Sequence, residues 1–272
     1  MTEIRHLSET GRRAVETEEN RKLLDGGNVF LSTKSILRML REHGHTITFF
    51  IVGEVHDWYP ELIQEIKELG HEVAYHSHTH VPIDGISSLV KDLQESERFI
   101  AGFKPVGFRA PRASMTVECL RELARHGFVY DSSSYGSLCE HTKMAGIIEI
   151  PISTYRLRPR QGSTFPNPFS ARLLGNLEIP FGSGYSVSLF SLVSPSIVSY
   201  FIKKCNQRGV PSILCLHPWQ LCRRRIRSLS NAVLSRLWML PYDLSCLRAF
   251  KHLLKNHEFC TISELIENMG IS

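Results

Sequence analysis

At 272 residues, 42% hydrophobic and 22% charged, with a formal net charge of +5, the chain has the balance of an ordinary globular protein with apolar material for one sizeable core. The charge is mild, no aromatics interleave with basic residues in the way that stacks nucleic-acid bases, and no apolar run approaches the roughly 18 residues of a membrane-spanning helix. A charged N-terminal stretch without the apolar run of a secretory signal, and an odd set of cysteines (Cys119, Cys139, Cys205, Cys215, Cys222, Cys246, Cys260) with no C-x-x-C pair, lead us to expect reduced thiols and a cytoplasmic protein.

In chain order, residues 33–43 repeat apolar side chains at helical spacing (Ile36, Leu37, Met39, Leu40) and stop at Gly44, a residue suited to closing a helix. The β-rich run Ile47-Thr48-Phe49-Phe50-Ile51-Val52 follows. The pattern recurs as a helix at 59–69, a strand at 71–75, a longer helix at 86–101 and a strand around 107–110. An amphipathic helix at 117–126 is closed by Gly127 and followed by a strand at 128–130, with further strands at 147–152 and 177–180. A helix at 196–208 feeds Ser212-Ile213-Leu214-Cys215-Leu216, a nearly all-apolar run typical of a strand buried on both faces.

Such alternation predicts an α/β fold with a parallel sheet, closed or nearly closed, and helices outside. Its chemistry belongs at the C-terminal ends of the strands. The chain reads as a single domain over 1–272, with its core at about 15–220 and a helical extension at 221–272 packed on the barrel.

Two regions break the rhythm. Residues 154–175 form a connection long enough to carry function. Residues 228–246 read as a peripheral helix and turn before a helix at 247–257 and a final helix capped by Thr261 or Ser263. Between them lies the densest basic run, Arg223-Arg224-Arg225-Ile226-Arg227. It is either a solvated face or a contact for an anionic glycan, a nucleotide sugar or a membrane surface.

The strongest chemical signal is His76-Ser77-His78-Thr79-His80, three histidines in five residues at the end of a predicted strand. Neutral imidazoles suit zinc and related ions, and a catalytic site needs about three protein ligands with one position open. A continuing strand would point His76 and His78 the same way, whereas a turn after Tyr75 would bring His76 and His80 together. Histidines that merely hydrogen-bond are the plain alternative. Gly182-Ser183-Gly184-Tyr185 lacks the Lys-Ser/Thr of a phosphate-cradling loop.

The run Gly70-His71-Glu72-Val73-Ala74-Tyr75-His76-Ser77-His78-Thr79-His80 resembles the second motif of NodB-type polysaccharide deacetylases, H-[S/T]-x-x-H after a G-H-E-V/I strand. Other family motifs follow the expected order. Thr48-Phe49-Phe50-Ile51-Val52-Gly53 looks like the T-F-F-x-x-G strand, Phe108-Arg109-Ala110-Pro111 resembles the third motif, and Tyr130-Asp131-Ser132-Ser133 the fourth. Leu216-His217-Pro218-Trp219 is similar to the fifth, in the form of an exopolysaccharide-associated subgroup.

The resemblance implies a distorted (β/α) barrel of about seven parallel strands with outer helices. It also implies a zinc-type hydrolase that removes an N-acetyl group from an amino sugar in a glycan or its precursor. His76 and His80 would be metal ligands, and His217 would protonate the departing amine. Arg109 and Asp131 would orient the base and the acid, or form a structural ion pair. His217 has its own plain reading as a core histidine beside Trp219. Pro111, Tyr185 and Trp219 would border the sugar.

The first motif, D-D-G or D-x-E-D in the family, departs most. Its best match is Val15-Glu16-Thr17-Glu18-Glu19, which makes Glu18 the base and Glu19 the third metal ligand at the end of a first strand. Asp25, in Leu24-Asp25-Gly26-Gly27, is the alternative carboxylate. Two other functions fit the same sequence: a C–N hydrolase acting on a small amide or ureide, and a glycan-binding protein that has lost its carboxylate.

Overall fold

The computed structural model describes residues 16–113, 115–138, 143–156, 178–221 and 245–270. The first element is a helix, α1 (Glu18–Asp25), where the first-motif reading expects the end of a strand. Local chemistry explains the difference. The Thr17 hydroxyl accepts from Asn20 N at 3.3 Å, Glu18 and Glu19 occupy the first turn, and Gly26 closes the helix in the left-handed region at φ 54°. These are strong helix start and stop signals, and the helix buries none of its residues. The first strand implied by that register, before Glu16, lies outside the described residues.

Helix α2 (Asn28–His43) begins earlier than its apolar periodicity suggests, because the Asp25 carboxylate accepts from Val29 N at 3.0 Å and caps its start. Strand β1 (Thr48–Ile51), the short helix α3 (Gly53–Trp58), α4 (Pro60–Glu68) and β2 (Glu72–Tyr75) come next. The long helix expected at 86–101 is two, α5 (Ile86–Glu95) and α6 (Glu97–Phe103). They part at Ser96, buried at 3% exposure, whose hydroxyl is drawn into a polar cluster under the site.

Strand β3 (Gly107–Phe108) leads through a 3-10 turn at Pro111–Ala113 to α7 (Val117–Arg125) and β4 (Tyr130–Asp131). Short strands follow: β5 (Tyr135–Gly136), β6 (Lys143–Met144), β7 (Ile147–Glu149), β8 (Ile152–Ser153), β9 (Tyr155–Arg156) and β10 (Glu178–Ile179). The remaining helices are α8 (Gly184–Val193), α9 (Ser196–Asn206), α10 (Pro218–Leu221), α11 (Leu247–Asn256) and α12 (Ile262–Met269). None of the described helices is long and apolar enough to cross a membrane. Residues 157–177 and 222–244 are outside the described residues. With them go most of the connection at 154–175, the basic run at 223–227 and nearly all of the segment at 228–246.

The main sheet has six strands in the order β1-β2-β3-β4-β7-β6, parallel throughout except for β6, which runs antiparallel to β7 at the edge. Beyond β7 the wall continues through single peptide bonds. Ser153 N donates to Ile213 O at 3.0 Å, Gly182 N to Ser153 O at 3.0 Å, and Cys215 N to Gly182 O at 2.8 Å. The expected strand at 212–216 is therefore reduced to one parallel bridge, Ser183 to Cys215. Of its residues only Ile213 is buried, since a ladder of isolated bonds does not seat a run against two covered faces.

One end of this wall is closed. Glu72, the first residue of β2, accepts from the Thr48 hydroxyl at 2.6 Å, the Tyr130 hydroxyl at 2.9 Å, and the Ser263 hydroxyl and N–H at 2.6 and 3.1 Å. Thr261 is the N-cap of α12, in a reciprocal capping box with Glu264. The C-terminal helix thus seals the N-terminal ends of the strands and leaves the opposite ends for chemistry.

Gly107 touches this plug. A Cβ there would stand 2.1 Å from the Tyr130 ring and 2.2 Å from its hydroxyl oxygen, and the ring is held in place by Glu72. Gly107→Ala is expected to lower stability by about 1–3 kcal/mol through overpacking, read as a lower urea midpoint.

Candidate functional site

The segment His76-Ser77-His78-Thr79-His80 leaves the C-terminal end of β2 and turns at once. Ser77 and His80 both adopt positive φ, 60° and 59°, an uncommon conformation for residues with a side chain. Backbone bonds hold the turn. His76 N donates to Ile51 O at 2.8 Å, Gly53 N to Ser77 O at 2.9 Å, and Glu54 N to His78 O at 3.0 Å. Inside the turn, His80 N donates to the Ser77 hydroxyl at 3.0 Å.

The turn separates the histidines. The His76 and His80 rings meet edge to face with centroids 4.7 Å apart. His78 faces the other way, its N–H donating to Asp92 Oδ1 at 2.8 Å and its Nδ1 lying 2.9 Å from Ser96 Oγ. Asp92 is itself held by the Tyr75 hydroxyl, which donates to Oδ2 at 2.5 Å. His78 is thus a structural tie, and His76 and His80 are the pair presented together.

His76 Nδ1 lies 2.7 Å from the Arg109 carbonyl. That oxygen only accepts, so Nδ1 carries the proton and Nε2 the lone pair. Burial pushes the His76 imidazole well below its ordinary value, and the nearby His80, Arg109 and His217 groups push the same way by disfavouring a further positive charge. Burial likewise brings His80 down to about 3 and His217 down to about 4. All three rings are therefore neutral near pH 7.

His217 sits just before α10, stacked on Trp219 at 4.3 Å, with its Nδ1 3.1 Å from Gln220 Oε1. Arg109 is buried at 9% exposure, its guanidinium donating to the Ser132 carbonyl at 2.9 Å and hydroxyl at 2.7 Å. It also lies 4.0 Å over the Phe50 ring. Asp131 accepts from the Ser133 hydroxyl at 2.7 Å and N–H at 3.2 Å. Its cross-strand partner is Glu149, a residue the motifs do not reveal. Burial raises the Glu149 carboxyl well above its ordinary value, and Asp131 adds to the effect. Burial raises the Asp131 carboxyl as well, and Glu149 Oε2 is buried without a hydrogen-bond partner among the described residues.

Several expectations need correction against this geometry. The set Glu19, His76 and His80 is not assembled: among the described residues no group of three or more His, Cys, Asp or Glu is placed to hold a metal ion. Glu18 and Glu19 lie exposed on α1, with Glu18 accepting from the Trp58 indole at 3.1 Å. They ride on a helix because the capping signals around Thr17 outweigh the weak strand pattern before it. Asp25, the alternative, spends its oxygens on Val29 N and on the Tyr59 hydroxyl, each at 3.0 Å. Asp131 does not hold His217; Gln220 occupies the ring nitrogen an orienting acid would take, and Asp131 turns to Ser133 and Glu149. Arg109 contacts Ser132, Phe50 and, through its carbonyl, His76. Pro111 is buried, while Tyr185 and Trp219 are half-buried.

Two neutral imidazoles, one of them fixed through its other nitrogen by a backbone carbonyl, suit two positions on a divalent ion. The described residues supply no acidic third.

The sequence model described as "Polysaccharide deacetylase" matches residues 25–130, and that of a domain of unknown function, DUF3473, matches residues 132–267. The chain belongs to the polysaccharide deacetylase family. The two matched regions meet at β4, whose residues pair with β3 on one side and β7 on the other, so both build one sheet. Chitin deacetylase from Colletotrichum lindemuthianum is 28% identical over 111 residues, 36% of this chain and 44% of that protein. Peptidoglycan-N-acetylglucosamine deacetylase from Bacillus cereus is 26% identical over 110 residues, 39% of this chain and 40% of that protein. The chain thus spans less than half the length of these curated relatives. A Mycobacterium smegmatis structure assigned as a polysaccharide deacetylase superimposes with a TM-score of 0.55 at 20% identity, covering 90% of this chain and 79% of that one. That likeness shows the (β/α)-barrel type of fold.

The depressed His80 imidazole links stability to pH. Its folded value of about 3 lies below the ordinary 6.5, so the unfolded chain binds the extra proton first. The stability it contributes is complete above about pH 6.5 and is lost as pH falls toward 3, at up to about 1.4 kcal/mol per pH unit. His80→Asn should show a smaller drop in urea midpoint between pH 7.5 and 4.5 than the unaltered protein, because the buried acids act equally in both.

Proposed function

We propose that this deacetylase-family chain hydrolyses an N-acetyl group of an amino sugar within a glycan, using His76 and His80 as ligands for a divalent ion and His217 as the proton carrier. The observation that carries this reading is the grouping of His76, His80 and His217 near Arg109. The His76 and His80 rings meet at the C-terminal end of β2, where such folds place chemistry, and His217 lies close enough to help hold both imidazoles below their ordinary value. The names of the chitin and peptidoglycan deacetylase relatives support an N-acetylated glycan as substrate. Imidazole ligands favour zinc.

A divalent ion held by His76 and His80 would polarise the acetamide carbonyl and lower the pKa of the attacking water. The chain's own residues handle the proton. His217 is neutral at rest, since burial holds it near 4, so it enters as a base. It takes one proton from water as the C–O bond forms and returns it to the departing nitrogen as the C–N bond breaks, leaving acetate and a free amine. Trp219 stacks on the ring and keeps it from turning away. Tyr185, Trp219 and Pro111 border the place a sugar ring would occupy.

A glycan-binding protein without turnover is the second reading, favoured by the lack of an acidic third ligand among the described residues. Protein loaded with zinc or cobalt is expected to release acetate and free amine from N-acetylglucosamine oligomers, and His217→Ala to slow release by about 10²–10⁴-fold. Saturable glycan binding with no acetate, by protein that holds its metal, would favour the second reading.

A further inference from the structure

Gln220 is fully buried at 0% exposure, and its side-chain amide makes four hydrogen bonds at one stroke. Its Oε1 accepts from His217 N at 3.0 Å and faces His217 Nδ1 at 3.1 Å. Its Nε2 donates to Gly184 O at 2.9 Å and to the Ser188 hydroxyl at 3.0 Å. The orientation of the amide is forced by its partners. A backbone N–H only donates, so the atom facing His217 N is oxygen; a carbonyl only accepts, so the atom facing Gly184 O is nitrogen. An oxygen acceptor at Nδ1 requires the proton there, which puts the His217 lone pair on Nε2.

The seat is built for this amide. Gly184 must be glycine here, because a Cβ would stand 2.4 Å from Gln220 Oε1 and 2.9 Å from Cys215 O. Ser188, one turn further along α8, is itself fully buried at 0%. On the other side, Cys246 N donates to the Gln220 carbonyl at 2.8 Å, tying the start of α11 to the same residue. Locally, His217 acts as the N-cap of α10, with Pro218 at its first position. Gln220 at the third reaches back to the cap N–H, half of a capping box.

We propose that Gln220 is the positioning residue for His217, fixing the ring in its Nδ1–H form from a seat made by Gly184 and Ser188, a role that in this chain does not fall to Asp131. The inference rests on the reading of His217 as the proton carrier, because only then does the tautomer decide which nitrogen exchanges a proton with water.

The test reads the tautomer directly and needs no substrate. Long-range ¹H–¹⁵N correlation spectra of histidine-labelled protein at neutral pH, with the His217 signals identified by their loss in His217→Asn, should show the Nδ1–H pattern. Gln220→Met should abolish that preference, Gln220→Glu should keep it, and Gly184→Ala should lose it with Gln220 still present. An Nε2–H pattern in the unaltered protein overturns the proposal even if no variant folds. An unchanged pattern in folded Gln220→Met does the same. Absence of acetate release alongside the expected spectra would count against the hydrolytic reading alone.

Discussion

The site depends on the pinning of one turn, residues 76–80, against the strands on either side of β2. Two non-glycine residues in that turn hold left-handed backbone, each costing about 1–3 kcal/mol. Such conformations survive only where the surroundings over-determine them. Here the start of α3 donates two backbone N–H groups to the turn, β1 accepts from His76, the Arg109 carbonyl just past β3 accepts from its ring, and Asp92 on α5 receives the N–H of His78. The outcome is a division of labour among three histidines a few residues apart. His78 is spent on structure, and His76 and His80 are turned toward each other.

Among the described residues around that turn, the buried charges balance without an acid grouped with His76 and His80. Arg109 carries one positive charge between Phe50 and Ser132, and one strand away Asp131 lies opposite Glu149, with both carboxyls raised by burial. An isolated buried charge of either sign would be far more costly than this shared arrangement. His217 presents its Nδ1 to the neutral amide of Gln220. In the proposed hydrolysis, its low affinity for a proton at rest would suit a ring that takes one up only during turnover.

Much of this was legible in the sequence. The βα rhythm from Ile36 to Tyr130 follows apolar periodicity closely, and the order of motifs from Thr48 to His217 places the candidate residues at strand ends. What escaped has physical causes. The capping chemistry of Thr17, Glu18 and Glu19 says helix, and a motif register overrode it. Ser96 splits a helix whose hydrophobic pattern is continuous, because the break serves Tyr75 and His78 from outside the helix. The apolar run 212–216 looked like a central strand, yet its ladder partners are single peptides at Ser153 and Gly182. Glu149 has no local signature, since only the register of β4 with β7 brings it to Asp131. Gln220 was within reach: His-Pro-Trp-Gln has the spacing of a capping residue at the third helical position.

The most direct test of this account is the coordination shell of the zinc-loaded protein, measured by X-ray absorption fine structure. The pinned turn predicts two imidazole scatterers, reduced to one in His76→Asn and in His80→Asn, and unchanged in His78→Asn. A shell that loses an imidazole in His78→Asn but keeps both in His80→Asn would show that the turn presents the other pair, and would contradict the account.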